Sequence, residues 1–267
     1  MKALITGASS GIGLEMAYYL AKLNIDLILV ARNKEKLNEI KDDVSVDVKI
    51  ISLDLIDEKN VFKLYELVKN DDIDILINNA GFGLFGTFDK TDLNRELEMI
   101  NLNIKTYHIL TKLFLQDFIK KDSGYILNVC SSAGFMAGPR LSTYYATKNY
   151  VTKLTMAINE ELRHIKSNVS ISALCPGPVN TNFNKVAKGE FSIKEISPKY
   201  VAKYGIDKMF KRKMIIVPTF KMKLTLFFAR FIPYRLQLLI AYHIQGRKIN
   251  NWKKLCKTRF ILFISIV

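Results

Sequence analysis

The sequence predicts an α/β fold: a doubly wound parallel sheet of about seven strands with a basic, apolar helical extension at the C-terminal end. Three observations predict it. Short apolar runs without alternation recur between residues 2 and 217, as in strands covered on both faces. Segments of helical periodicity separate them, an order that produces right-handed crossovers. The first strand-to-helix junction carries Gly7, Gly11 and Gly13. The 267 residues are 49% hydrophobic and 24% charged, enough to bury such a sheet as one domain and too apolar for disorder.

The first strand, 2–6, closes on Gly7-Ala8-Ser9-Ser10-Gly11-Ile12-Gly13. Leu14, Ala17, Tyr18 and Ala21 then recur at helical spacing until a stop near Asn24. Residues 27–31, Leu-Ile-Leu-Val-Ala, are wholly apolar and form the second strand. A polar helix at 33–43 leads to a strand at 48–53, a helix at 57–70 and a strand at 73–78. A helix or helix pair fills 91–121, and a strand covers 124–131. A glycine-rich loop then reaches Ser142, where a helix at 143–166 begins. The strand at 169–175 runs into Pro176-Gly177-Pro178. No strong pattern marks 180–213, and 214–217 is a last short strand.

The net charge of +15 is not spread evenly. Residues 1–198 balance 24 Lys and Arg against 24 Asp and Glu, whereas 199–267 hold 16 bases and one acid, Asp207. The basic quarter lacks any helix-turn-helix, zinc or RNA-recognition signature, so nucleic acid is not an expected partner. Cys130, Cys175 and Cys256 have no paired spacing, which argues against a disulfide framework or zinc site and for a reducing compartment. The first two lie in apolar runs and are expected to pack in the core. His108, His164 and His243 show no metal or triad spacing, and no metal is expected. The N-terminal MKALITG enters a strand without signal-peptide features, giving the expectation of a cytoplasmic protein.

Gly7, Gly11 and Gly13 (GxxxGxG) suit a turn whose backbone approaches a pyrophosphate, with helix N–H groups facing the phosphate charge. Tyr144 and Lys148 are four apart and share a helix face. A cation beside a phenol favours the phenolate and brings tyrosine down from its reference pKa of about 10. That pair alone is common on amphipathic helices. The turn Thr6 to Gly13, Asn78-Asn79-Ala80-Gly81, and Tyr144 with Lys148 together resemble the short-chain dehydrogenase/reductase family across residues 1–182. The TGxxGxxG turn of the extended, epimerase-like branch is not present.

The resemblance implies a Rossmann-type catalytic domain at 1–220, with residues 182–213 as a substrate lid and 221–267 as the extension. It implies hydride transfer between a carbonyl and an alcohol, Tyr144 being the acid/base. Ser131, 13 residues before Tyr144, would position the substrate oxygen. Lys148 would lower the Tyr144 pKa and hold the nicotinamide ribose. Asn101, in Met-Ile-Asn-Leu-Asn, would support a water relay to Lys148. Ser132 and Tyr145 are chemically equivalent neighbours, but Tyr145 has Asn149 rather than lysine four residues on.

The cofactor contacts implied by the family are Gly7, Ser9, Ser10, Gly11, Ile12 and Gly13 at the turn, and Asp54 at the adenine. Asn78, Ala80 and Gly81 would line the adenosine ribose side, with Tyr144, Lys148, Pro176, Gly177, Val179 and Thr181 toward the nicotinamide. Arg32 ends the second strand, where a planar cation accommodates a 2′-phosphate, so NADP(H) is expected over NAD(H). Asp26 opens that strand and lies at its wrong end. Phe82-Gly83-Leu84-Phe85, Phe135-Met136 and Phe183 fall in the family's substrate loops, so the expected small-molecule carbonyl or alcohol is apolar or lipid-like. A homo-oligomer is also implied. The alternative is an NADP-binding scaffold or redox sensor attached to a membrane surface. Such proteins often lose the tyrosine or lysine, and both are present here.

In the extension, 11 of the 22 residues from 224 to 245 are Leu, Ile or Phe. Arg230 and Arg235 would cost roughly 5–7 kcal/mol in a bilayer centre, against roughly 3–7 kcal/mol recovered by those eleven, so a membrane span is not supported. Two helices broken at Pro233 fit better. Two readings stay open for them. One is a lid or dimer surface with solvated lysines. The other is contact with an anionic membrane through Lys221, Lys223, Arg247, Lys248, Lys253, Lys254, Lys257 and Arg259, with Trp252 at the boundary and 260–267 as a second apolar contact.

Overall fold

The computed structural model describes residues 1–181, 183, 187 and 195–246. Seven parallel strands make one sheet: β1 (Lys2–Thr6), β2 (Asp26–Ala31), β3 (Val48–Ser52), β4 (Ile75–Asn78), β5 (Gly124–Val129), β6 (Val169–Leu174) and β7 (Ile215–Ile216). Their spatial order is β3-β2-β1-β4-β5-β6-β7. The winding reverses between β1 and β4, and in such sheets a crevice opens there beyond the carboxyl ends of the strands. Every residue of β6 is buried, as the unbroken apolar reading of the strands requires.

The helices are α1 (Gly11–Lys22), α2 (Lys34–Asp43), α3 (Glu58–Val68), α4 (Leu93–Ile100), α5 (Tyr107–Lys120), α6 (Ser142–His164), α7 (Pro198–Phe210), α8 (Phe220–Ala229) and α9 (Tyr234–Gly246). One side of the sheet packs its apolar residues with Met16, Leu20 and Leu37 of α1 and α2 and with Val201 and Ile206 of α7. The other side packs against α3, α5 and α6 through Leu64, Phe114, Phe118 and Leu162. Asn33, Asp57 and Asp92 start α2, α3 and α4 by accepting backbone N–H bonds from Lys36, Lys59 and Arg95. Cys130 and Cys175 are buried free thiols, and Cys256 lies outside the described residues.

One element departs from expectation. α7 occupies part of the stretch without a strong pattern, and its Val201, Ala202, Ile206 and Met209 are buried. Gly205 lets it approach the Leu174 side chain, and Tyr19 of α1 donates to Asp207 at 2.6 Å. Residues 198–210 are therefore a core helix and not part of a lid. Proline at the first helical position and the apolar spacing 201, 202, 206, 209 were signals of it. In the extension, α8 and α9 flank Pro233, and Leu226 of α8 packs beside Tyr107, Cys130, Cys175 and Val217. No helix among the described residues is long and apolar enough to cross a membrane. The basic residues 247–259, Trp252 and 260–267 lie outside the described residues.

Candidate active site

The turn after β1 is held by contacts that only its residue types allow. Gly7 and Gly11 have φ of +67° and +59°, the left-handed region that glycine enters without strain. A Cβ on Gly7 would stand 2.8 Å from the Ala80 Cα, and one on Gly13 would stand 2.4 Å from the Gly7 carbonyl oxygen. The glycines thus serve close packing against the segment after β4 as well as access for a ligand. Asn79 joins the two segments by donating from Nδ2 to the carbonyls of Thr6 and Gly7, each at 3.0 Å. Thr6 Oγ1 accepts the N–H groups of Asn79 and Ala80 at 2.9 and 3.1 Å. Ser10 begins α1 without a side-chain capping bond, and the first turn carries no acid, so its positive end is open to an anion.

At the other end of the same cleft stand Ser131, Tyr144 and Lys148. Ser131 follows β5, and its Oγ accepts the Ala133 N–H at 3.1 Å. Tyr144, in the first turn of α6, lines the cleft with Ser131. Burial pushes its phenol above the usual range, and the Ser131 hydroxyl opposes that rise. Lys148 is 5% exposed, and its Nζ donates to the Val129 carbonyl at 2.8 Å. Burial lowers its pKa, while the Cys130 and Cys175 thiols oppose the fall. Lys148 stands one turn along α6 from Tyr144, with its ammonium held at that backbone carbonyl. Tyr145 takes another direction: its hydroxyl accepts from Gln245 of α9 at 2.8 Å.

Comparison with known proteins identifies the family. A family profile described as short chain dehydrogenase matches residues 1–190. The chain belongs to the short-chain dehydrogenase family. An uncharacterized oxidoreductase of Staphylococcus epidermidis is 33% identical over 182 residues, 67% of this chain and 78% of its own length. Human very-long-chain 3-oxoacyl-CoA reductase is 32% identical over 194 residues, 70% of this chain and 62% of that protein. A short-chain dehydrogenase from Sphingobium yanoikuyae in complex with NADPH has a TM-score of 0.77 at 26% identity, covering 97% of this chain and 99% of that one.

Short-chain dehydrogenases bind NAD(P)(H), and the cleft of this member fits such a dinucleotide. Gly7, Ser9, Ser10, Gly11 and Ile12 line one end, Arg32 and Asp54 its flank, and Ala80 and Gly81 its middle. Pro176, Gly177 and Val179 line the cleft too, and Thr181 stands against the glycine turn, its Cγ2 3.2 Å from where a Gly11 Cβ would lie. Gly13 is buried behind the turn, where its lack of a side chain is a packing requirement. Arg32 Nη1 lies 3.7 Å from Asp54 Oδ2, with the Arg32 side chain 69% exposed.

Two asparagines are misplaced by the sequence reading. Asn78 does not face the cleft. It is fully buried and donates to Asn128 Oδ1 at 2.9 Å and Thr111 Oγ1 at 3.1 Å, tying β4 to β5 and α5. Its neighbour Asn79 lines the cleft instead. Asn101 is likewise replaced by Asn103. A π-helical segment, Asn101–Thr106, joins α4 to α5 and turns Asn103 inward. Asn103 Nδ2 donates to the Phe82 carbonyl at 2.9 Å and to Thr147 Oγ1 at 3.1 Å, while its Oδ1 accepts the Phe82 N–H at 3.2 Å. A Cβ on Gly81 would meet both Asn103 Oδ1 and Lys148 Nζ, which locates the three together.

The apolar wall is narrower than expected. Phe82 and Phe183 line the cleft, and the Phe183 ring centroid is 5.1 Å from that of Tyr144. Phe135 and Met136 pack instead against the buried cluster around Tyr107 and Leu226. Arg95 also borders the cleft, its guanidinium 4.0 Å from the Phe82 ring centroid. Its place on a polar helix face gave no sequence signal.

Proposed function

We propose that this short-chain dehydrogenase is an NADP(H)-dependent oxidoreductase that interconverts a carbonyl and an alcohol on an apolar substrate. The observation that carries the reading is that Ser131, Tyr144 and buried Lys148, one turn along α6 from Tyr144, line the same cleft as the glycine turn. The nicotinamide, when bound, supplies or accepts the hydride. Tyr144 gives its proton to the developing alkoxide in reduction and removes the hydroxyl proton in oxidation. Burial favours the protonated phenol and so the donor role. Ser131 fixes the substrate oxygen beside Tyr144. Lys148 holds the ribose, and Asn103 takes the relay role first assigned to Asn101, being the asparagine packed beside Gly81 and Lys148. Arg32 supports NADP(H), because its largely exposed guanidinium at the end of β2 can pair with a 2′-phosphate. Phe82 and Phe183 support an apolar substrate.

The test follows NADPH oxidation over a panel of medium-chain and lipid-like aldehydes and ketones. Tyr144→Phe is expected to lower turnover by about 10²–10⁴-fold while NADPH binding, read by fluorescence, persists. No cofactor consumption across the panel, or loss in Tyr145→Phe with turnover kept in Tyr144→Phe, would overturn the reading.

A further inference from the structure

Helices α8 and α9 expose apolar side chains on the face turned away from the protein. Leu226 is buried and Met222 packs inward, yet on the outer side Phe220 is 77%, Phe231 72% and Tyr234 84% exposed. Phe227, Phe228 and Leu239 extend the same surface. A helix covered on one side by its own protein ordinarily presents polar residues on the other. Here both sides are apolar, and a contiguous apolar surface with a basic border marks an interaction site. The border is formed by Lys221, Arg230 and Arg235, all exposed and without an ion pair among the described residues, while Lys223 turns to α7 and donates to the Tyr204 hydroxyl at 3.1 Å. No Asp or Glu occurs between residues 208 and 267.

We propose that the outer face of α8 and α9 docks onto an anionic lipid bilayer, lying in its interface rather than crossing it. Charge decides among the coverings. A twofold contact with a second copy would set each basic patch against itself, with no acid in either patch to offset the repulsion. Residues 247–259 add six bases and no acid, so laying them over the face would bring like charge to like. An anionic bilayer offers both an apolar layer for the phenylalanines and phosphate charge for the three bases. The hairpin also borders the cleft. The Met222 Cε lies 2.6 Å from where a Gly177 Cβ would stand, and Gln245 donates to Tyr145 at 2.8 Å. Docking therefore holds the cleft beside the lipid. Delivery of a lipid-like substrate along that route rests on the reaction proposed above, whereas docking itself does not.

The test is flotation of the full chain with vesicles of phosphatidylcholine containing about one-third phosphatidylglycerol, compared with phosphatidylcholine alone. Binding is expected to the mixed vesicles at about 0.05 M salt and to fall at about 0.5 M, since screening weakens the basic contacts. Phe227→Glu/Phe231→Glu, and separately Lys221→Gln/Arg230→Gln/Arg235→Gln, are each expected to lower binding by about tenfold or more. These side chains are exposed, so circular dichroism melts should change little and report folding independently of binding. The proposal is overturned if the full chain stays unbound, or if both variants float like wild type. It is also overturned if light scattering without vesicles shows a self-association that Phe227→Glu/Phe231→Glu abolishes, which would make a second copy the covering. The readout needs no turnover, so it separates docking from the assigned chemistry.

Discussion

Helix α7 turns Val201, Ala202, Ile206 and Met209 inward and leaves Lys199 and Lys203 in water. Helix α8, ten residues further on, buries Leu226 but exposes Phe220, Phe227 and Phe228. Both stretches carry a net charge of +2, but 7 of 10 residues of α8 are hydrophobic against 7 of 13 in α7, and α8 has apolar surface left over. Full burial of a large apolar side chain is worth about 1.5–3 kcal/mol, so α7 is integral to the fold. The outer phenylalanines of α8 contribute little to it. The contrast separates residues kept by folding from residues that folding does not need.

The strongest test of the body is Asn103→Ala, which strands the Phe82 N–H and carbonyl and removes a donor to the Thr147 hydroxyl. A loss of about 3 kcal/mol in urea unfolding is expected, against less than about 0.5 kcal/mol for Asn101→Ala. Equal losses would return Asn101 to the site. Within the hairpin, Leu226→Ala should cost about 2–3 kcal/mol by the same measurement, because it opens a cavity beside Tyr107 and Val217. A negligible loss would mean that the hairpin is only loosely attached. Arg32→Asp should move the ratio of NADPH to NADH affinity, measured by fluorescence titration, toward NADH by about tenfold. No movement would make Arg32 a solvated charge with no part in the cleft. The smallest effect is expected from Phe227→Ser, within about 0.5 kcal/mol of wild type. A cost like that of Leu226→Ala would show the outer face to be packed, and the comparison of α7 with α8 would collapse.

Much of the molecule was legible before the structure. The seven strands are apolar runs of strand length, and their alternation with helices leaves few topologies open. Gly7, Gly11 and Gly13 stand where a turn needs left-handed backbone or close approach. Those are properties of neighbours in the chain, so local pattern suffices, whereas Tyr144, Lys148 and Ser131 were singled out by the resemblance to a known family. The same local reasoning also foresaw a break at Pro233, where proline removes a helical hydrogen bond.

What pattern could not supply is direction. Asn78 and Asn79 are adjacent, and only the end of β4, with its partners Asn128 and Thr111 on one side and Thr6 and Gly7 on the other, assigns one to the interior and one to the cleft. Asn101 and Asn103 differ by two positions on a helix, and the π-helical segment between α4 and α5 rotates the second toward Gly81 and Lys148. The sequence by itself determined the sheet and the glycine turn, because backbone conformation answers to local spacing. The tertiary structure alone decided which asparagine reaches the site, where the Lys148 ammonium is anchored and which side of α8 is left uncovered, because those depend on partners far away in the chain.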